Sequence, residues 1–340
     1  MVRLKDIAEQ AGVSVMTVSK ALRDEPDVSA TTKARLKLMA QQMGYVPDTT
    51  AQGLRTRTTK LVGLAVPSLA DPVFTRIVSA VEERAHELGY DILLMHTVNS
   101  TEREEWCVRR LLSRRVDGLL IAPVYRMEPE ARIYQELAAR GTPTVLLGPP
   151  AKFCSSFTSV HVDDALGGRL ATEHLLKLGH KRIAFLAGPL SAPWAQERFE
   201  GYRRAPREAG SDVDERLVFQ AGNTIEDGAS AAAQMLNESC GATAVVAVND
   251  LVAIGCANAL LNQGVRIPQD LSVVGFGNIL MSAFFRVPLT TVSQPKSRLG
   301  SAAMDMLVQL LRGQKTEPRR LPPELITRSS TAAPPVAAAA

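Results

Sequence analysis

Apolar residues near the start of the chain recur at intervals of three and four, the spacing that aligns them on one face of an α-helix. Ile7, Ala8 and Ala11 predict a first helix, which Gly12 can end because glycine tolerates a positive φ. Ser14 is a suitable N-cap for a second helix that follows after a short turn. The pattern indicates a helix-turn-helix, although the spacing alone fits an ordinary helical hairpin equally well.

A third helix is predicted over residues 29–43, with Ser29 as its N-cap. The segment 47–60 that follows is basic, begins with a proline and is short of core residues, so we expect it to link the head to the rest of the chain. Leu54 stands out in this linker because it is apolar and has few apolar neighbours to pack against.

From residue 61 onward, short apolar runs alternate with helical segments and are separated by glycine turns. Strands are predicted at 61–66, 91–96, 118–122, 144–147, 182–187, 217–220, 244–248, 271–275 and 325–328, and helices at 73–88, 102–114, 129–140, 165–178, 195–209, 226–237, 250–263 and 297–312. Such alternation is typical of parallel sheets with helices on both faces, so the predicted fold class is α/β.

The strand–helix cycle occurs twice, over residues 61–160 and 161–288, which predicts two lobes of similar architecture. Pro206 falls inside the predicted helix 195–209, and we expect it to kink or divide that helix because proline lacks an N–H donor.

The positive charge of the chain is concentrated at its start. The formal net charge is +4, and residues 1–60 hold ten Lys or Arg against six Asp or Glu, while the remainder is balanced. A basic head on a neutral body is what binding to a polyanion such as DNA requires. The charge therefore favours a helix-turn-helix over an ordinary hairpin.

Cysteine usage and hydropathy indicate a cytoplasmic protein. The four cysteines are widely spaced and form no Cys-x-x-Cys pair, so we interpret them as reduced thiols: Cys107, Cys154, Cys240 and Cys256. The polar N-terminus has no secretory h-region, and polar residues interrupt the apolar stretch 242–261, so no membrane span is expected.

No catalytic constellation is found, and no cofactor is expected. Gly275-Phe276-Gly277 lacks the third glycine of a dinucleotide fingerprint, and there is no Walker loop or nucleophile elbow. His161, Asp163 and Asp164 could suggest a metal, but this alternation beside a strand end is more often a helix cap and surface. The chain is therefore not expected to be an enzyme.

Two lobes with a cleft fit a protein that closes on a small molecule. Two alternatives share this core. A solute-binding protein for transport would need a signal peptide and no basic head, and a carbohydrate-acting α/β enzyme would turn over candidate sugars.

Ordered motifs along the chain carry a family resemblance. They include Lys5-Asp6-Ile7-Ala8, Ala11-Gly12-Val13-Ser14, Thr17-Val18-Ser19, Gly44-Tyr45-Val46-Pro47, Asp71-Pro72, Arg115-Val116-Asp117-Gly118, Gly179-His180, Asn249-Asp250 and Pro288-Leu289-Thr290-Thr291. With these motifs, the chain resembles the lactose-repressor (LacI/GalR) family of bacterial transcription factors from about residue 3 to 329.

The resemblance implies a helix-turn-helix head, a hinge helix and a core like that of a periplasmic binding protein. The implied boundaries are a head at 1–46, a hinge at 47–60, a first lobe at 61–160 plus 291–319, a second lobe at 161–290 plus 320–329, and a disordered tail at 330–340. It also implies a homodimeric regulator, most often a repressor, that binds a palindromic operator in double-stranded DNA and is controlled by an effector. No heptad repeat is visible, which favours a dimer over a tetramer.

For DNA, the resemblance assigns base reading to Val15, Met16 and Lys20 of the second helix, and phosphate contacts to Thr17, Ser19 and Thr32. The candidate DNA-binding residues are Leu4, Ser14, Val15, Met16, Thr17, Ser19, Lys20, Thr32 and Leu54. Lys20 can donate to guanine, whereas Val15 and Met16 can only touch a thymine methyl, and packing in the head core is the alternative for these two. Leu54 matches the leucine that wedges into the minor groove.

For the effector, the resemblance points to residues around the cleft: Ser68, Asp71, Phe74, Arg126, Trp194, Arg198, Asn249, Asn278 and Gln294. Arg198 offers a fork of donors and Trp194 a face for a sugar ring. Many sugar-binding members carry a carboxylate after the glycine-aromatic pair, where this chain has Gly277-Asn278, and another acid is often found at the position of Gly148. Among sugars and sugar acids, we therefore favour a sugar acid or another anionic metabolite as the effector.

Overall fold

The computed structural model describes residues 2–46 and 58–335, and the chain divides into two units, Met1–Thr59 and Lys60–Ala340. The first unit contains α1 (Leu4–Ala11), α2 (Val15–Leu22) and α3 (Ala30–Gln42). Its apolar centre is formed by residues of all three helices: Ile7, Ala8, Val18, Ala21, Leu36 and Ala40. The predicted helix-turn-helix is confirmed.

The predicted helix signals are present in the head. Gly12 follows α1 with φ at 67°. The Ser14 hydroxyl accepts from the Thr17 N–H at 3.0 Å, and the Ser29 hydroxyl accepts from the Thr32 N–H at 3.2 Å. Each serine satisfies a donor that the first turn of its helix leaves unpaired.

The second unit contains two six-stranded sheets, as expected for the α/β class. The first sheet has the order β11-β5-β4-β3-β1-β2 and consists of β1 (Leu61–Val66), β2 (Asp91–His96), β3 (Gly118–Ile121), β4 (Thr144–Leu147), β5 (Thr158–Val162) and β11 (Arg319–Leu321). All its strand pairs are parallel.

The second sheet repeats this plan with one antiparallel edge. It has the order β12-β10-β9-β8-β6-β7 and consists of β6 (Ile183–Ala187), β7 (Val218–Gln220), β8 (Ala244–Ala247), β9 (Ser272–Gly277), β10 (Thr290–Ser293) and β12 (Glu324–Ile326). Only the β10–β12 pair is antiparallel in this sheet.

Helices cover both faces of the two sheets. They are α4 (Pro72–Glu87), α5 (Thr101–Ser113), α6 (Arg132–Ala139), α7 (Asp164–Lys177), α8 (Pro193–Glu208), α9 (Ile225–Asn237), α10 (Asp250–Asn262), α11 (Leu280–Phe284) and α12 (Lys296–Leu311). Successive residues of a strand enter different apolar cores: Leu64 faces one cluster and Ala65 another. None of the helices in the described ranges is long and apolar enough to cross a membrane.

The chain passes between the lobes three times, and this shifts the expected boundaries. It crosses after β5, after β10 and between β11 and β12. Residues 291–293 therefore belong to the second sheet and 320–321 to the first, the reverse of the expected assignment. Strands β5, β10 and β11 were not predicted because their sequences are short and largely polar. They form strands because they pair with neighbouring strands of the sheet.

Two further expectations are wrong. Helix α8 runs unbroken through Pro206, because this proline lies in its last turn and removes a single backbone hydrogen bond. The tail is ordered beyond residue 330: Ser330 is buried and its hydroxyl donates to the Val273 carbonyl at 2.6 Å, while Ala332 accepts from His180 at 2.8 Å. Residues 336–340 lie outside the described ranges.

Candidate DNA-binding surface and effector cleft

The start of α2 presents apolar side chains to solvent. Val15 is 44% exposed and Met16 is 63% exposed, whereas Val18 and Ala21 on the opposite face are buried. Core packing is therefore not the role of Val15 and Met16. Both side chains are open to contact with another molecule.

Lys20 forms an ion pair within the head that was not expected from the sequence. Its ammonium donates to the Asp27 carboxylate, and this contact lowers the pKa of Asp27. Lys37 makes a similar pair with Asp24 at 2.6 Å. Because Lys20 keeps a third of its side-chain surface exposed, it can exchange Asp27 for another acceptor without unfolding the head.

The candidate phosphate-binding hydroxyls lie near the N-termini of α2 and α3. The Thr17 hydroxyl is 2.9 Å from that of Ser14, and the Thr32 hydroxyl is 2.8 Å from that of Ser29. Ser19 contacts the Arg23 guanidinium. Helix N-termini favour anions, so this placement suits phosphates.

Two remaining DNA-binding candidates are placed differently. Leu4 is half-buried at the start of α1 and packs against the head core. Leu54 lies in the segment 47–57, outside the described residues.

A cavity of about 670 Å³ lies between the two lobes of the second unit. This volume is within the range of small-molecule sites. Seven of the residues expected at the cleft line it: Ser68, Asp71, Phe74, Trp194, Arg198, Asn249 and Gln294.

The first-lobe wall is held by the loop that leads into α4. The Ser68 hydroxyl accepts from the Asp71 N–H at 3.2 Å, and the Asp71 carboxylate accepts from the Val73 N–H at 2.8 Å and caps α4. Burial raises the pKa of Asp71, because the charged carboxylate is partly removed from water. The cap therefore also directs a carboxylate toward the cavity.

Arg198 is the most constrained cation of the described cavity lining. Its guanidinium donates to the Asp164 carboxylate at 2.8 Å and to the Val248 carbonyl at 2.7 Å. It also lies over the Trp194 ring at 4.7 Å and the Phe276 ring at 3.6 Å from their centroids. Arg198 covers one face of Trp194, so a ligand reaches only what remains of that ring.

Close packing of α7 and α8 brings Arg198 to Asp164. A Cβ at Gly168 would lie 2.1 Å from the Arg198 carbonyl oxygen, and a Cβ at Gly201 would lie 2.1 Å from the Ala165 carbonyl oxygen. The two helix backbones therefore approach to a distance that glycine alone allows at these positions. Asp164 begins α7 and Arg198 lies on α8, so the close approach of these two helices allows the ion pair between Asp164 and Arg198.

Asn249 and Asp250 hold the second-lobe wall. The Asn249 side chain accepts from the Val252 N–H at 2.8 Å and donates to the Asn223 carbonyl at 3.0 Å. The buried Asp250 carboxylate accepts from the Ile279 N–H at 2.9 Å and from two hydroxyls. These bonds fix the loops that form the mouth of the cavity.

Arg126 and Asn278 do not line the cavity, contrary to expectation. Arg126 pairs with Glu104, which is fully buried and also accepts from the Val124 N–H at 2.7 Å. The Asn278 amide donates to Ser293 at 3.2 Å and accepts from Arg328 at 2.7 Å. Both side chains are therefore bonded to protein groups outside the cavity.

Replacing Arg126 with methionine is expected to lower the free energy of unfolding by about 2 kcal/mol, because Glu104 loses its cation but keeps two other donors. Burial already raises the pKa of Glu104, and loss of Arg126 raises it further. The folded state then binds a proton that the unfolded state releases, so the loss should be smaller at pH 5 than at pH 8. Urea unfolding at both pH values tests this. A loss that grows as the pH falls would contradict it.

Further residues line the cavity that were not expected at the cleft. They are Tyr125, His161, Asp164, Glu226 and Asp250, among others. Asp164 and Asp250 each lie just after a strand, β5 or β8, and at the start of a helix. This position in the local sequence could have identified them as residues at the cleft. His161 and Asp163 were weighed as a metal site. Asp163 instead caps α7, and no group of three potential metal ligands is found within residues 2–46 and 58–335.

A helix-turn-helix head joined to a two-lobed core with an interlobe cavity defines the class of ligand-responsive transcriptional regulators. Comparison with known families and proteins narrows this class. The family model "Bacterial regulatory proteins, lacI family" matches residues 3–48, and "Periplasmic binding proteins and sugar binding domain of LacI family" matches residues 59–329.

Individual relatives match over nearly the whole chain. The HTH-type transcriptional repressor PurR of Pasteurella multocida is 34% identical over 334 residues, with 97% of this chain and 98% of the relative covered. The ribose operon repressor of Escherichia coli is 32% identical over 332 residues, with 97% and 100% covered. The solved lac repressor dimer, bound to operator and the anti-inducer ONPF, has a TM-score of 0.87 at 33% identity, with 98% and 99% covered.

The chain belongs to the LacI family of bacterial regulatory proteins. It is a transcriptional repressor with an effector-binding core and is not an enzyme. The alternatives of a transport protein and a carbohydrate-acting enzyme are thereby rejected.

Proposed function

We propose that this repressor binds a palindromic operator as a homodimer, and that a neutral sugar in the cleft controls its affinity for that operator. The similar lac repressor is a dimer bound to operator in its solved structure, which supports the assembly and the DNA partner. Such a protein acts in the cytoplasm, where bacterial operator DNA lies.

On the DNA side, the exposed start of α2 supports this proposal. Val15 and Met16 offer apolar contact to thymine methyl groups, and Lys20 supplies hydrogen-bond donors for a guanine edge. The excess positive charge of residues 1–60 supplies the attraction to phosphates that does not depend on base sequence.

Replacing Lys20 with alanine is expected to weaken binding to a selected operator by about 10- to 100-fold and to relax base preference at one position of each half-site. Lys37→Ala is the matched control, because Lys37 also pairs with an aspartate of the head but lies on α3. The control should weaken binding to all sequences alike. Fluorescence anisotropy with single-base operator variants measures both. Equal effects of the two substitutions would contradict the assignment of Lys20 to a base.

On the effector side, the charge of the cavity carries the proposal. Four carboxylates belong to its lining: Asp164 matches the Arg198 charge, the buried Asp250 accepts from three protein donors, and Asp71 and Glu226 supply the excess negative charge. Arg126, which supported an anionic effector, does not line the cavity. An anion would meet a negative surface, whereas the hydroxyls of a neutral sugar can donate to carboxylates.

Isothermal titration of the full chain with D-ribose, D-xylose, D-glucose, cellobiose and D-gluconate tests the effector class. We expect at least one neutral sugar to bind and to change operator affinity when added to the protein–DNA complex. Tight binding of D-gluconate with no binding of any neutral sugar would overturn the proposed class. Operator binding measured without ligand tests the DNA-binding role separately.

A further inference from the structure

Gly148 leaves a gap in the cavity wall that another residue fills. Its φ is +141°, a backbone conformation that residues with a Cβ rarely adopt. A Cβ built there would lie 2.6 Å from the Tyr125 hydroxyl oxygen, closer than van der Waals contact permits. Gly148 and Tyr125 both line the cavity. The phenol of Tyr125 therefore occupies the space that a side chain at position 148 would take.

Tyr125 is held in this place at both ends. Its hydroxyl donates to the Pro149 carbonyl at 2.8 Å, and its ring packs against apolar cores of both lobes. Burial raises the pKa of Tyr125, so the phenol stays neutral. With its ring and hydroxyl constrained, this side chain is a fixed part of the wall.

The bond to Pro149 decides what the phenol can offer a ligand. A phenol has one O–H donor, and the Pro149 carbonyl accepts it. The oxygen lone pairs that remain can only accept. To a ligand in the cavity this oxygen can therefore offer only an uncharged acceptor beside a glycine, in contrast to the carboxylate of Asp71 on the same lobe.

We propose that Tyr125 is a specificity-determining residue of the cleft: its phenol oxygen accepts a hydrogen bond from one effector hydroxyl, and its ring, seated against Gly148, limits the size of the ligand there. This inference rests on the proposed function, because it takes the effector to be a neutral polyhydroxylated molecule.

Tyr125→Phe removes the hydroxyl and keeps the ring. We expect it to weaken the best-binding sugar of the panel D-ribose, D-xylose, D-glucose and cellobiose by about tenfold or more, the value of one buried hydrogen bond. Deoxy analogues of that sugar identify the partner: one of them should bind the wild type and Tyr125→Phe equally well. Tyr134→Phe is the matched control, because its phenol bonds to Glu104 and does not line the cavity.

Isothermal titration of the full chain separates the outcomes. If a sugar binds the wild type and Tyr125→Phe binds it equally well, the role of Tyr125 is overturned and the proposed function stands. Equal losses in Tyr125→Phe and Tyr134→Phe would also overturn it, since stability would then explain both. If no sugar of the panel binds the wild type, the proposed effector class fails and this inference fails with it.

Gly148→Ala tests the contact from the other side. In the wild-type background the added methyl group should displace the Tyr125 hydroxyl and weaken sugar binding to the same degree as Tyr125→Phe. In the Tyr125→Phe background the oxygen is absent and the nearest ring atom is 3.8 Å away, so Gly148→Ala should then have a much smaller effect. Backbone strain at position 148 is the same in the two backgrounds, so the difference between the two effects measures the contact with the Tyr125 hydroxyl. Equal effects in the two backgrounds would overturn the inference.

Discussion

Replacing Arg198 with methionine is expected to abolish most effector binding, lowering affinity by about 100-fold, and to lower the free energy of unfolding by about 4 kcal/mol. The guanidinium faces the cavity and supplies donors that methionine lacks. It is also the cation paired with the buried Asp164, so its removal leaves a buried carboxylate without its ion-pair partner. Burial already raises the pKa of Asp164, and loss of the Arg198 charge should raise it further. Uptake of a proton by Asp164 is therefore a second expected result of this substitution.

Arg204→Met is the matched control for this prediction. Arg204 lies on the same helix, bonds to Glu208 at 2.6 Å and is mostly exposed. The control should change effector affinity less than twofold and stability by no more than about 0.5 kcal/mol. Isothermal titration with the sugar that binds the wild type and urea unfolding measure the two quantities. Arg198→Met with wild-type affinity would contradict the placement of the effector against Arg198.

Replacing Gly201 with alanine is expected to lower the free energy of unfolding by about 3 kcal/mol, because overpacking a close helix contact forces the backbones apart. The added Cβ would lie 2.1 Å from the Ala165 carbonyl oxygen and 2.7 Å from the Arg169 nitrogen, and a backbone cannot move aside as a flexible side chain can. Separating α7 from α8 also draws Arg198 away from Asp164. Effector affinity should therefore fall together with stability.

Gly210→Ala provides the comparison for this second prediction. Gly210 follows α8 with φ at +78°, and a Cβ there meets nothing within 4 Å. Its substitution should cost about 1 kcal/mol of backbone strain and leave effector affinity unchanged. Thermal and urea unfolding compare the two variants. If Gly201→Ala is no more destabilising than Gly210→Ala, the close approach of α7 and α8 is not what supports the Arg198 site.

The family resemblance pointed to the cleft residues, and for two of those that line the cavity a local signal explains their position. Asp71 precedes a proline and caps α4, and Asn249 caps α10, so each side chain is positioned by the backbone next to it. Arg126 could not be placed this way. Its partner Glu104 lies 22 residues away on α5, and a pairing across that separation depends on how α5 packs against β3 and the loop that follows.

Tyr125 and Gly148 illustrate the same limit. Nothing in either local sequence indicates that a phenol fills the space of a missing Cβ, because the two residues come from different strand ends of the first sheet. The pairing of β3 with β4 brings those ends side by side. Residues that contact only through such a pairing carry no periodic signal.

The sequence by itself determined most of the helices and strands, the serine caps of the head, the separation of charge and the membership of a regulator family, because these features depend on neighbours within a few residues or on ordered motifs. The tertiary structure decided which partner each cation takes. Lys20 is paired with Asp27, Arg126 with Glu104 and Arg198 with Asp164. An unpaired charge is costly to remove from water, so each cation binds the carboxylate that the fold places next to it.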